Sequence, residues 1–421
     1  MRLPKPLLDF IDHSLALSGR PFEPDTSLAP PHGRYATVHY GIMLPGLPAP
    51  HHFLNLVAVI GQPKTRLFAN PHLIRTTARD TANLLVGTAT GTPEHFRGYS
   101  IGQDCTFAAD GSSLRFADDL VLEGRYPDFS ARREGHAFNL QLTLKATDKV
   151  ANFASLIGGL YDHWSVLCQY RGHLERNGER SEIAGLCTFE YARAVNVNLP
   201  FRFFTYQILN LDARTQVLLV EVLGPLGLEA QRRVYLRSLD DHGGVYLRGF
   251  DFSVQRFAPT PVTTPNGTRM RLPQEFTWRV EDDDGNELIT IRGDANGDFQ
   301  YGLAAGYVGS YRYEGRFRGQ PVSGTGYIEY IDLRGGDWPW RGAAVARRPL
   351  TAPGWTAILA GHAPGTAEDR PPWSGQPCRI HSCVFPFISW KCSNRWFAPP
   401  AATSSGCAQP AAWVAKAARK R

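Results

Sequence analysis

Apolar and polar residues alternate with a period of two along much of the chain. Residues 138–145 read FNLQLTLK, and residues 276–281 and 311–318 alternate in the same way. This pattern predicts β-strands that bury one face and expose the other to water. Pairs that favour tight hairpin turns occur among these segments at Asn177-Gly178, Asn266-Gly267, Asp284-Gly285 and Asn296-Gly297.

Helical periodicity is scarce. Apolar residues between Leu7 and Leu17, followed by Gly19 and Pro21, predict one short helix near the N-terminus. A second short helix is predicted from Asp148 to Ile157. The predicted fold class is therefore all-β, built as antiparallel barrels or sandwiches, because these architectures bury one face of many alternating strands.

The sequence contains an internal echo. Residues 170–174 read YRGHL and residues 185–191 read GLCTFEY, while residues 313–317 read YEGRF and residues 324–330 read GTGYIEY. The same predicted hairpin thus closes two units, which indicates a duplication. Four regions follow: an N-terminal segment with a short helix (1–33), a first β domain (34–195), a second β domain (196–336) and a largely irregular tail (337–421).

The net charge of +6 resides in the tail. Residues 341–421 contain eleven Lys+Arg and two Asp+Glu, which leaves residues 1–340 at −3. A nearly neutral body argues against nucleic-acid binding through the folded part. No apolar run approaches the roughly 18–20 residues of a membrane helix. The tail, rich in Pro, Ala and Ser, is predicted to be disordered or a non-homologous extension.

Cysteine usage indicates the compartment. Cys105, Cys168 and Cys187 are scattered through the body, and the other four cysteines lie in the tail. An odd, scattered set is typical of reduced cytoplasmic proteins and not of a disulfide framework. The first residues also lack the apolar stretch of a signal peptide. We therefore expect a cytoplasmic protein.

Standard catalytic motifs are missing, and one segment concentrates chemistry. Residues 158–165 read GGLYDHWS and precede the first closing hairpin. Asp162 and His163 are candidate proton-transfer residues, because these types exchange protons near neutral pH, and Tyr161 and Trp164 are candidate ligand contacts. The alternative is a loop-to-strand corner, in which Trp164 plugs the barrel mouth and Asp162 caps backbone amides.

Three further tyrosines, Tyr170, Tyr311 and Tyr313, lie on the predicted inward faces of the closing hairpins. They either line a ligand cavity or form ordinary core. No metal site and no cofactor are predicted: His51 and His52 would face opposite sides of a strand, and residues 294–298 lack the offsets of a calcium loop.

The duplication and the Gly-Gly…Asp-His-Trp-Ser segment resemble the two-domain lipocalin-like proteins, which include hydroxyneurosporene synthase-like carotenoid hydratases and related bacterial proteins. The resemblance spans about residues 34–335 and implies two tandem lipocalin-like barrels with an apolar pocket for a terpenoid-, carotenoid- or polyketide-like molecule. It also implies that Asp162 is the proton donor, that His163 orients it or shares the proton, and that Trp164 and nearby tyrosines stabilise a developing cation.

Three functions remain open at this stage. The chain is an enzyme that hydrates, isomerises or cyclises a hydrophobic small molecule, a non-catalytic carrier of such a molecule, or a structural protein whose barrels are filled by side chains. Turnover in an Asp162→Asn variant would separate the first two, and a cavity of ~300 Å³ or more would argue against the third. The sequence does not indicate the oligomeric state.

Overall fold

Antiparallel strands form nearly all of the structure, a computed structural model that describes residues 10–92, 95–135 and 137–334. The all-β fold class is confirmed. Predictions on the tail lie outside the described residues.

Eleven strands form the first sheet. They are β1 (Thr37–Pro45), β2 (Phe53–Ile60), β3 (Thr81–Thr88), β4 (Phe96–Ser100), β5 (Cys105–Phe107), β6 (Ser113–Phe116), β7 (Leu120–Arg125), β8 (Asp128–Arg133), β9 (Asn139–Ser155), β10 (Tyr161–Arg176) and β11 (Glu179–Ala194). Their order is β4-β3-β2-β1-β11-β10-β9-β8-β7-β6-β5. The sheet curls into a nearly closed barrel, in which the first strand pairs with the last.

The second sheet follows the same plan and forms a half-barrel. Its strands are β12 (Phe203–Asn210), β13 (Thr215–Leu223), β14 (Glu229–Ser238), β15 (Gly244–Tyr246), β16 (Asp251–Phe257), β19 (Pro273–Glu281), β20 (Glu287–Ala295), β21 (Gln300–Leu303), β22 (Gly306–Phe317) and β23 (Gln320–Asp332). The order is β15-β14-β13-β12-β23-β22-β20-β19-β16, and β21 pairs with β22. Two short strands between β16 and β19, β17 (Val262–Thr263) and β18 (Arg269–Met270), form a separate two-stranded ribbon.

The two closing hairpins, β10–β11 and β22–β23, carry the two copies of the sequence echo. In each sheet the hairpin's second strand pairs with the first strand of that sheet. The duplication and the domain limits stay predictions, because the described residues of both sheets belong to one compact unit.

Helical structure among the described residues is short. Phe10 and Ile11 are helical, and single turns occur at Ser14–Leu17, Pro71–Leu73, Ile101–Asp104, Ile157–Gly159 and Pro225–Gly227. No helix in these ranges is long and apolar enough to cross a membrane.

The helix predicted from Asp148 to Ile157 is wrong, because β9 continues as a strand to Ser155. Two register shifts between β9 and β10 interrupt the regular pairing here, at His163/Trp164 and at Val166/Cys168. Such bulges break the alternation of side chains, which explains why this stretch does not show a period of two.

Aromatic side chains fill the first barrel. Phe129 and Phe189 stack with ring centroids 4.2 Å apart, and the hydroxyl of Tyr191 donates to the carbonyl of Ala29 at 2.8 Å, which fastens the N-terminal segment to the barrel. The cavity beside Phe129 and Phe189 measures about 10 Å³. A space of this size holds about one water molecule.

An apolar cluster, separate from the core of each sheet, joins the two sheets through their outer faces. Met43, Phe53 and Phe153 come from the first sheet, and Ile208, Leu218 and Tyr327 come from the second. The strands at this contact are therefore buried on both faces. As a result, nearly every residue of β1 and β13 is buried.

Substitution of Leu218 tests this packing. Leu218 is 0% exposed, so Leu218→Ala is expected to lower the free energy of unfolding by about 2–5 kcal/mol, because burial is lost and a cavity forms. Urea denaturation followed by circular dichroism measures the change. The matched control is Leu226→Ala, at a side chain that is 93% exposed, with an expected change below about 0.5 kcal/mol. Equal effects of the two substitutions would contradict packing through this cluster.

Candidate functional site

Three neighbouring strands of the first sheet bring two histidines and a glutamate onto one face. Strand β11 lies between β1 and β10, and its Ala192 is the register partner of both His39 and His163. Glu190 lies two residues earlier on β11, and side chains two residues apart share a face of a strand. Because Ala192 is small, the two imidazoles approach each other across it, edge to face with ring centroids 5.8 Å apart, next to the Glu190 carboxylate.

The three side chains converge on one point. The Nε2 atoms of His39 and His163 lie 3.9 and 3.7 Å from Oε2 of Glu190. Within the described part of the chain, these three form a group whose potential ligand atoms lie within 4.8 Å of one another. The other carboxylate oxygen, Oε1, accepts a hydrogen bond of 2.5 Å from the hydroxyl of Tyr206 in the second sheet.

His163 is held from two sides. Its Nδ1 shares a hydrogen bond of 3.0 Å with the hydroxyl of Tyr161, and the ring of Phe153 meets it edge-on at 4.7 Å. Its Nε2 is buried without a hydrogen-bond partner. Burial lowers the pKa of His163. The side chains of His39 and His163 are each 20% exposed, and that of Glu190 is 3% exposed.

A second glutamate, Glu329, lies beside Tyr206 on the adjacent strand, where the two are register partners. Its carboxyl group accepts a hydrogen bond of 2.9 Å from Tyr327, whose hydroxyl in turn accepts one of 3.4 Å from the Asn55 amide. We refer to His39, Tyr161, His163, Glu190, Tyr206, Tyr327 and Glu329 together as the inter-sheet centre.

The two glutamates of the inter-sheet centre have opposite electrostatics. Burial by itself would raise the pKa of Glu190, but the two facing imidazoles lower it to about 2. Burial raises the pKa of Glu329 well above its usual value, and the charge of Glu190 raises it further. Opposite environments of this kind separate an ionised carboxylate from a protonated one.

The structure separates the residues that the sequence grouped together. Tyr161 and His163 belong to the inter-sheet centre. Asp162 faces the other side of β10, where its carboxylate lies 3.0 Å from Nε of Arg193 and 3.4 Å from the hydroxyl of Ser155. Adjacent residues of a strand face opposite sides, so Asp162 and His163 have different partners.

The remaining candidate ligand contacts lie in the cores of the sheets. Trp164 packs inside the first barrel against Phe189 and Tyr191, and Tyr170 belongs to the same core. Tyr311 and Tyr313 belong to the core of the second sheet. Their roles in ligand binding stay predictions.

Sequence reasoning did not select His39, Glu190, Tyr206 or Glu329. One signal was available: Glu190 and Glu329 occupy equivalent places in the two copies of the echo, each directly before a tyrosine. Both turn out to face the contact between the sheets. The segments around His51-His52 and residues 294–298, which are far apart in the sequence, also meet. Nδ1 of His52 lies 3.3 Å from a carboxylate oxygen of Asp298.

Comparison with known proteins identifies a family and several solved structures. The profile of a family of unknown function, DUF6670, matches residues 57–340. A crystal structure from Nitrosomonas europaea, provisionally described as AttH, has a TM-score of 0.50 at 14% identity and covers 74% of this chain and 99% of that chain. Kievitone hydratase from Nectria haematococca has a TM-score of 0.46 at 12% identity and covers 75% and 98% of the two chains. No curated protein matches by sequence. The resemblance to lipocalin-like proteins is thus confirmed for the fold alone.

The stability of the protein is expected to depend on pH through Glu329. Because burial raises the pKa of Glu329 above the value of 4.5 expected in the unfolded chain, the folded state keeps a proton that the unfolded chain has lost. The free energy of unfolding should therefore fall as the pH rises from 4.5 toward the folded-state pKa, by about 1.4 kcal/mol for each pH unit. The variant Glu329→Gln cannot titrate and should lack this contribution, as measured by urea denaturation across that pH range.

The matched control is Glu314→Gln. Glu314 lies on β22 of the same sheet, and its side chain is 72% exposed, so this variant should keep the pH dependence of the wild type. Identical pH profiles for the wild type and Glu329→Gln would contradict a raised pKa at Glu329.

Proposed function

The chain belongs to the DUF6670 family, whose function is unknown, and we propose that it is an enzyme that acts on a hydrophobic small molecule. The substrate is of the terpenoid, carotenoid or polyketide-like class. The reaction is an acid-assisted hydration, isomerisation or cyclisation at the inter-sheet centre. The observation that carries the proposal is the meeting of two glutamates, one from each sheet, in one buried network with unlike partners. Glu190 faces two imidazoles and accepts from Tyr206. Glu329 accepts from the neutral Tyr327.

These partners suit two different roles. A buried carboxyl group whose charged neighbour is another carboxylate retains its proton and can act as a general acid. A buried carboxylate beside imidazoles stays ionised and can stabilise positive charge that develops on a substrate. Glu329 is therefore our candidate for the acid, and Glu190 is our candidate for the stabilising anion.

The reaction balances with water as the only co-reactant. Transfer of the Glu329 proton to one carbon of a double bond forms a C–H bond and leaves a cation on the neighbouring carbon. Water bonds to that cation and releases a proton that restores Glu329, so the net change is the addition of one water molecule. Loss of a different proton from the cation to Glu329 gives an isomer. Attack by a second double bond closes a ring and moves the positive charge to another carbon, which then loses a proton or adds water, and the released proton restores Glu329.

Aromatic rings around the centre support a hydrophobic substrate. Phe153 lies edge-on to His163 and also meets Tyr206 and Tyr235, with ring centroids 5.6 and 5.1 Å away. The π faces of such rings attract a developing cation, and their apolar edges favour contact with hydrocarbon. Entry from the side of the partly exposed imidazoles would bring a substrate to Glu190 first.

Asp162 is less well suited to donate a proton. Both of its carboxylate oxygens are already engaged, one by the guanidinium group of Arg193 at 3.0 Å and the other by the hydroxyl of Ser155 at 3.4 Å. We therefore assign the proton-donor role to Glu329 in preference to Asp162.

A structural role is the second candidate. The cavity beside Phe129 and Phe189 in the first barrel measures about 10 Å³, whereas ligand pockets usually reach about 300 Å³ or more. So small a cavity in the first barrel favours a protein in which the inter-sheet centre only aligns the two sheets. The same observation weighs against a carrier with a preformed pocket.

Isotope labelling separates these functions. The wild type is incubated in D₂O with one terpenoid, one carotenoid and one polyketide-like alkene, and mass spectrometry detects deuterium bound to carbon. Label in at least one alkene is expected. Glu329→Gln should lower its rate of formation by about 100-fold or more, because general acids typically contribute that much.

Asp162→Asn is the comparison variant and should keep a rate close to that of the wild type. Circular dichroism establishes that each variant is folded before rates are compared. Absence of label from all three alkenes with the wild type, or full activity of Glu329→Gln, would contradict the proposal and favour the structural role.

A further inference from the structure

The spacing of His39, His163 and Glu190 is unusual for side chains that interact directly. Hydrogen bonds between nitrogen and oxygen measure about 2.7–3.2 Å, yet the two Nε2 atoms lie 3.9 and 3.7 Å from Oε2 of Glu190. Ligands bound at about 2.0–2.1 Å around a tetrahedral ion lie about 3.4 Å apart. The observed separations are thus closer to those of ligands that share an ion than to those of a hydrogen-bonded trio.

The nitrogen of His163 that faces Glu190 lacks any other partner. Its Nε2 is buried and makes no hydrogen bond, although buried polar atoms are normally paired. The opposite nitrogen, Nδ1, is already occupied by the hydroxyl of Tyr161 at 3.0 Å. A histidine that binds a metal through one nitrogen and a hydrogen-bond partner through the other has this arrangement.

Glu190 is supported in the same way. Its Oε1 is held by Tyr206 at 2.5 Å, which leaves Oε2 directed at the two imidazoles. A carboxylate ligand whose second oxygen is hydrogen-bonded is typical of metal centres.

The backbone around His39 provides room for its ring. A Cβ atom added at Gly41 would lie 3.0 Å from Nε2 of His39 and 3.2 Å from its Cε1. The imidazole therefore lies over the glycine, in space that any other residue at this position would occupy. Gly41 thus has no side chain that would crowd the Nε2 atom of His39, and the residue opposite both histidines, Ala192, is also small.

We propose that His39, His163 and Glu190 bind one divalent transition-metal ion, with zinc as the best match. Two imidazoles and one carboxylate are a donor set that Zn²⁺ accepts in enzymes, where a fourth position stays open for water or substrate. This site does not depend on the proposed function, since binding of an ion can be measured without a substrate. An ion on Glu190 would cancel the negative charge of its carboxylate, so the role of Glu190 as stabilising anion belongs to the metal-free protein.

The test titrates full-length protein, freed of metal by a chelator, with Co²⁺ and then with Zn²⁺ in competition. The visible absorption of Co²⁺ reports its ligands, and a thiolate charge-transfer band would reveal binding by cysteine. One ion per chain with nitrogen and oxygen ligands is expected at the site. His39→Ala, His163→Ala and Glu190→Gln should each weaken binding by more than the roughly 10–100-fold that loss of a supporting residue costs.

Two matched variants sharpen the result. Tyr161→Phe removes only the support of His163 and should weaken binding by about 10–100-fold. His32→Ala, at an exposed histidine, should bind Co²⁺ as the wild type does. Circular dichroism of each variant excludes unfolding as the cause of a loss, and the isosteric Glu190→Gln remains informative if an alanine variant fails to fold.

The proposal is overturned if the wild type binds no ion with nitrogen and oxygen ligands, or if folded His39→Ala and Glu190→Gln bind Co²⁺ as tightly as the wild type. Glu329→Gln should bind the ion normally, whether or not the wild type labels an alkene. Failure of the metal site and failure of the proposed function are therefore distinguishable.

Discussion

Burial on both faces of most of β1 and of the central parts of β10 and β11, residues 164–168 and 186–192, is the constraint on which the rest of the structure depends. On β11, Phe189 and Tyr191 face the interior of the first barrel, while Glu190 and Ala192 face the second sheet. A strand in this position has no wet side, so its polar side chains must find partners within the protein. The contact between the sheets therefore combines an apolar cluster with a small set of fully enclosed polar groups.

Those groups are satisfied by bonds that cross from one sheet to the other. Tyr206 of the second sheet donates to Glu190 of the first, and the fully buried Arg237 donates to the carbonyl of Ser165 on β10 at 2.7 Å. Arg237 also bonds to Gln216 within its own sheet. Because hydrogen bonds are directional, these crossings restrain how the sheets can slide. Alignment of the sheets and arrangement of the candidate chemistry thus have the same physical origin.

Sequence reasoning succeeded where a strand has one wet face. The alternating segments 138–145, 276–281 and 311–318 lie largely within β9, β19 and β22, and Asn177-Gly178 forms the predicted turn with positive φ at both residues. It failed at Asp148–Ile157, where bulges disturb the alternation.

The candidate site was only half predictable for a related reason. Tyr161 and His163 were identified because they are close together in the sequence. Their partners His39 and Glu190 lie on other strands, and alternation alone does not say which strands become neighbours. The rule that adjacent residues of a strand face opposite sides would have separated Asp162 from His163.

Closure of the first sheet has a consequence for the order of events during folding. Thr37, at the start of β1, pairs with Ala194, at the end of β11, so this ladder joins opposite ends of the sheet's sequence. Contacts between residues so far apart in the sequence form late, because the entropy of closing a large loop is lost before the contacts can stabilise the chain. During synthesis, His39 emerges well before Glu190, so its partner carboxylate is absent until β11 has been made. The three facing side chains come together only once the sheet has closed, so a truncated or half-folded chain would lack this site altogether.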